Sequence, residues 1–250
     1  MSKCTKILCC ICVAGMLCLC GPAWAKKLIV ERPQAGYTLA LPSGWVEIPA
    51  QELQERQKAL EKVRSSSRSQ ESLYDDAFQF GEKPWFSYPY ILVRVYDKGR
   101  IPEPRIEDMN ARIQEQLEAA PQANSMVQDT RLVDTAYDPG RHTFVAEMSF
   151  QMQRAQPLKA MHAVCYTNQG LLQFTFYATD RTWRRHVADF EQGIADLQLN
   201  ADTVYQSSFL DKIPLLTTLR WRELGPILAV SFGIGIVLAV GGMLFIRRRR

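Results

Sequence analysis

Residues 170–199 read GLLQFTFYATDRTWRRHVADFEQGIADLQL. The first half alternates over Leu171 to Thr179, rich in β-branched and aromatic residues, which predicts a strand. The second half changes period. Trp183, Val187, Phe190, Ile194 and Leu197 are spaced four, three, four and three apart, which predicts one apolar stripe on a helix. Thr179 or Asp180 can cap its start. A stripe of that size has to cover a surface, and the strands just before it are the surface at hand.

Working outward, those strands come as hairpins. MVQDTRLVDTAYD, HTFVAEMSFQM, LKAMHAVCYT and LLQFTFYAT are separated by turn signals such as DPGR and NQG. Short turns between consecutive strands imply antiparallel pairing. In the second of these, Phe144, Ala146, Met148, Phe150 and Met152 fall on one face. Further upstream, Ile106, Met109, Ile113 and Leu117 mark a second amphipathic helix, with Glu107 and Asp108 near its start. AQELQERQKALEKV is a third, with a thin apolar side of Leu53, Ala59, Leu60 and Val63. Near the start, YTLAL reads as a strand, Pro42-Ser43-Gly44 as a turn, and Trp45, Val46 and Ile48 as an extended segment. The expected fold class is α/β in the α+β sense: an antiparallel sheet with helices packed on it, over residues 26–200.

Both ends of the chain read differently. Residues 1–25 have the three parts of a signal peptide: Lys3 and Lys6, the apolar run Ile7 to Cys20, and Ala23-Trp24-Ala25 before a cleavage point at Lys26. Residues 226–246 form an uncharged stretch long enough to cross a bilayer as a helix. Arg247, Arg248, Arg249 and Arg250 follow it and favour the cytoplasmic side. The expectation is a single-pass protein of the cell (inner) membrane. Its domain would lie on the extracytoplasmic, periplasmic side, with residues 201–225 as a juxtamembrane linker. Gly225, Ala229, Gly233 and Gly241 recur at multiples of four, a small-residue stripe suited to helix–helix contact.

Charge follows this division. The formal net charge is +4. Lys3 and Lys6 supply +2 and the four terminal arginines +4, which leaves residues 26–246 at −2. A domain so close to neutral lacks a nucleic-acid footprint. Six of the seven cysteines lie in the leader, so the exported chain keeps Cys165 alone and has no internal disulfide.

Chemistry is sparse. His162 and Cys165 suggest a dyad, but an odd offset on a strand puts them on opposite faces. Cys165 is expected as a small buried hydrophobe beside Met161 and Ala163. His142 adjoins a turn and is expected to be exposed. His186, beside Arg184 and Arg185, is expected on a solvated face. No HExxH, GxSxG or phosphate-loop motif occurs in the domain. Catalytic residues, metal ligands and cofactors are therefore expected to be absent. KPWFSYPY stands out: Trp85, Phe86, Tyr88 and Tyr90 fall within six residues, broken by Pro84 and Pro89. Either Trp85 and Phe86 plug one end of the core, or the segment is an exposed partner-binding patch.

The opening YTLALPSGW and the closing GLLQFTFYATDRTWRRHVADFEQGIADLQL resemble the PsbP-like superfamily, including DcrB-type bacterial envelope domains, over roughly residues 30–200. The resemblance implies an α/β sandwich around an antiparallel sheet, with Trp45 and Phe190 as core anchors. It also implies a mostly non-enzymatic role in assembly or binding. The functional expectation is a membrane-tethered envelope module that binds or assembles a protein partner. Two alternatives stand beside it: an envelope hydrolase, and a receptor-like subunit acting through a partner transmembrane helix.

Overall fold

The alternating segments do pair in chain order. The structure is a computed structural model that describes residues 27–63, 74–119, 127–152, 156–208 and 211. Its elements are β1 (Leu28–Arg32), β2 (Tyr37–Leu41), β3 (Trp45–Glu47), α1 (Ala50–Val63), β4 (Asp76–Phe80) and β5 (Tyr90–Tyr96). Then come α2 (Glu103–Ala119), β6 (Val127–Asp138), β7 (Thr143–Met152), β8 (Leu158–Tyr166), β9 (Leu171–Thr179), α3 (Asp180–Ala195) and β10 (Gln198–Leu199). The leader, the span at 226–246, Gly225, Ala229, Gly233, Gly241 and Arg247–Arg250 lie outside the described residues. Among the described residues no helix is long and apolar enough to cross a membrane.

The strands form two sheets rather than one. A seven-stranded antiparallel sheet has the order β3-β4-β5-β9-β8-β7-β6, and a three-stranded sheet has the order β1-β2-β10. Alternation divides the large sheet into two apolar faces. One face carries Tyr90, Leu92, Tyr96, Ala160, Val164, Leu171 and Tyr177, and Leu53 of α1 with Ile106, Met109, Ile113 and Leu117 of α2 cover it. The other carries Ile91, Val93, Met161, Ala163, Phe174 and Phe176. It is covered by Leu39 and Leu41 of β2 and by Trp183, Phe190 and Ile194 of α3. β9 has both faces buried from Leu171 to Ala178, as the fourth of seven strands must.

Trp45 and Phe190 are the core anchors expected of them, 3% and 1% exposed. Phe176 touches both, at 6.0 Å and 5.3 Å between ring centroids. In α3 the cap is Thr179, whose hydroxyl oxygen accepts the N–H of Thr182 at 3.3 Å.

The domain runs past residue 200. Val204 bridges to Thr167, and Thr203 and Tyr205 are buried. Tyr205 donates to the carbonyl of Ile101 at 2.7 Å. Arg100 holds the Asp211 carboxylate through two nitrogens, at 2.7 Å and 2.5 Å. That bidentate pair keeps the Asp211 carboxyl below its ordinary pKa. The first residues of the expected linker are thus part of the fold, because one arginine ties them to the α2 side of the sheet.

Candidate functional site

The aromatic segment sits between β4 and β5 and is organised by a side chain rather than by strand pairing. Gln79 of β4 points to the α1–α2 face and is fully buried. Its Nε2 donates to the carbonyls of Gly81 and Glu82 at 3.0 Å and 2.6 Å, and its Oε1 accepts the N–H of Phe86 at 2.7 Å. This amide supplies the bonds a prolyl-rich loop cannot make to itself. Phe86 lies at φ 62°, a conformation costly for a bulky residue and held here by its surroundings.

The loop divides the four aromatics. Phe86 and Tyr90 are buried, 7% and 0% exposed, so the expected exposed patch does not include them. Tyr90 stacks on Tyr88 at 5.2 Å and meets Tyr177 at 5.3 Å. Trp85 and Tyr88 are half-buried against the same core and keep part of their surface. Packing, not partner contact, accounts for two of the four rings.

The exposed part of the loop faces the start of α3. Phe86, Ser87 and Tyr88 form one wall of a cleft of about 490 Å³, and Gln156, Thr179, Arg181, Thr182 and Arg185 form the rest. Arg181 and Arg185 are four apart and exposed, on one side of the helix. Arg181 lies in the first turn, where a cation opposes the helix dipole. Neither makes an ion pair among the described residues. Aromatic edge, hydroxyls and unpaired guanidinium groups suit a ligand group that is anionic.

The other candidate groups are kept apart. His162 and Cys165 lie on opposite faces of β8, as alternation requires. His162 accepts from or donates to the Thr175 hydroxyl at 3.0 Å, and full burial lowers its pKa to about 3, so it is neutral. Cys165 is buried and its thiol is pushed up to about 11 by desolvation, which leaves little thiolate. His142 is half-buried, its ring 4.3 Å from that of Tyr205. His186 is not on a solvated face. It is 4% exposed, sits 4.3 Å from the Phe80 ring, and shares Asp189 Oδ2 with the indole N–H of Trp45. Its spacing of three from Trp183 and four to Phe190 puts it on the buried stripe. Among the described residues no group of three His, Cys, Asp or Glu is placed to hold a metal ion.

Sequence reasoning did not single out Gln79, Arg181 or Arg185. For Gln79 the available signal was a polar residue within the aromatic run AFQF. For Arg181 it was a position against the helix dipole.

No protein-family model and no curated relative matches the chain. Similar solved structures include the cyanobacterial PsbP (CyanoP) of Synechocystis sp. PCC 6803. It is 13% identical, with a TM-score of 0.44 over 72% of this chain and 96% of that one. LpqN of Mycobacterium tuberculosis, involved in cell envelope biogenesis, is 12% identical, with a TM-score of 0.37 over 70% and 91%. A Pseudomonas aeruginosa protein of unknown function, PA94, described as a putative regulator, is 12% identical, with a TM-score of 0.34 over 68% and 94%. The first bears the name of the family that the opening and closing segments resemble. Likeness this distant transfers no ligand, partner or activity.

Proposed function

We propose that this chain is a membrane-tethered, extracytoplasmic binding module that holds an envelope partner through an anionic group, without catalysis. The leader and the apolar run at 226–246 support the placement. The observation that carries the binding reading is the cleft between the aromatic loop and the first turns of α3, lined by Tyr88 and by Arg181 and Arg185, which make no ion pair among the described residues. Arg181, an exposed cation in the first turn where the helix dipole disfavours it, is a local cost without a local gain, which is the pattern of a functional site.

The test is a photo-crosslinking residue at Ser87 in intact membranes. A discrete adduct is expected in the wild-type background, and its loss in Arg181→Glu/Arg185→Glu with the domain still folded. An adduct that survives the charge reversal, or turnover of an envelope substrate by the purified chain, overturns the reading.

A further inference from the structure

The large sheet is not covered evenly on its α3 side. α3 lies over β8 and β9, and the same face continues for two more strands, β7 and β6. There it forms a groove of about 370 Å³ between the helix and the β6–β7 hairpin. Val145 and Ala136 are its accessible apolar floor, over buried Met161 and Ala163, and the buried Phe190 and Ile194 back its inner wall. The outer wall is β6. Its register slips between Leu132 and Asp134, after which Asp134, Ala136 and Asp138 alternate onto the groove side, paired with Glu147, Val145 and Thr143. β6 is the last strand of the sheet and its outer edge pairs with no strand among the described residues.

The rim is acidic. Asp134, Asp138 and Glu191 are exposed on it. Its cation, Arg141, is committed: its guanidinium donates to the carbonyl of Ile194 at 2.7 Å and closes the C-terminal end of α3. Glu147 is balanced by Lys159 at 3.3 Å. An apolar floor flanked by three carboxylates that make no ion pair among the described residues complements one kind of segment, apolar on one face and cationic on the other.

We propose that this groove docks a cationic amphipathic helix of a partner protein beside α3, in the place where a second helix would complete the layer over β6 and β7. Apolar residues one turn apart seat on half-buried Val145 and exposed Ala136. Lysines or arginines beside them reach Asp134 and Asp138 on one side and Glu191 on the other. The site is separate from the arginine cleft: acids surround the last turns of α3, as arginines surround its first.

The experiment uses the full chain in phosphatidylcholine nanodiscs. The probe is a fluorescent synthetic peptide with leucines at i, i+3, i+4 spacing and lysines elsewhere. Anisotropy in empty discs is subtracted. Saturable binding is expected, weakened by salt, and reduced at least about tenfold in Asp134→Lys/Glu191→Lys. A matching peptide with glutamates in place of lysines is expected to bind the reversed variant better than the wild type, a swap that lipid binding cannot mimic. Equal binding of the lysine peptide to both proteins overturns the proposal. So does self-association of the chain in sedimentation that Asp134→Lys/Glu191→Lys abolishes, since the occupant would then be a second copy.

Discussion

The side-chain oxygen of Gln79 accepts the backbone N–H of Phe86 at 2.7 Å, and through that bond one buried amide holds the loop that forms a wall of the arginine cleft. β4 ends at Phe80 and β5 begins at Tyr90, so this loop has no ladder of its own.

Gln79→Leu should therefore cost about 3 kcal/mol, since it strands several buried backbone groups at once. Urea denaturation checks the stability. The same substitution should weaken crosslinking from Ser87, because the loop loses the bond that fixes Phe86. A loss no larger than that of an exposed substitution would show that the loop is held by its ring contacts instead.

Acid should destabilise the domain through His162. Its pKa is about 3 in the fold and 6.5 without it. The unfolded chain thus binds the extra proton between these values, and stability falls as pH drops from about 6.5 toward 3. The full contribution stands above pH 6.5. Burial sets an upper bound of about 3 kcal/mol lost between pH 7 and pH 4. His162→Gln should flatten this dependence in urea midpoints taken at both pH values.

Two turn glycines should respond very differently. A Cβ on Gly170 would lie 1.8 Å from the carbonyl oxygen of Tyr96, a backbone atom that cannot move aside, and φ is +152°. Gly99 also has a positive φ, +86°, but open space around it. Gly99→Ala should cost about 1 kcal/mol of backbone strain. Gly170→Ala should exceed it by several-fold in the folding equilibrium and lower the melting temperature accordingly.

Asp189 bridges β3 to α3. Its Oδ2 accepts from the indole of Trp45 at 3.1 Å and meets His186 Nδ1 at 3.0 Å. Asp189→Ala should cost about 2 kcal/mol by leaving two buried ring nitrogens unpartnered. Near-UV circular dichroism should change with it, as Trp45 packs among Phe80, Phe176 and His186. Asp189→Asn, which keeps an acceptor, should retain most of the stability.

Much of this fold is legible in local pattern. The helices at 50–63, 103–119 and 180–195 and the hairpins β6 to β9 follow from periodicity and turn residues, because each needs only its own neighbours to show which face is apolar. α1 shows the limit. Ala59 is exposed and Gln57 turns inward to donate to the carbonyl of Tyr74 at 2.7 Å. His186 shows it again. Its chemistry suggests solvent, while its place between Trp183 and Phe190 forces burial.

What the sequence by itself determined is the type of the three helices and of strands β2, β3 and β6 to β9, the opposite facing of His162 and Cys165, and Trp45 and Phe190 as core. Those depend on periods of 2 and 3.6 that any strand or helix must obey. Only the tertiary structure decided that β1, β2 and β10 leave the main sheet to form a second one. It alone buried two of the four aromatics of KPWFSYPY and opened an acidic groove at one end of α3 and an arginine cleft at the other. These are relations between residues far apart in the chain, such as Gln198 with Thr38 and Arg185 with Tyr88. No local period encodes them, because they follow from which surfaces remain uncovered once every apolar face has found its partner.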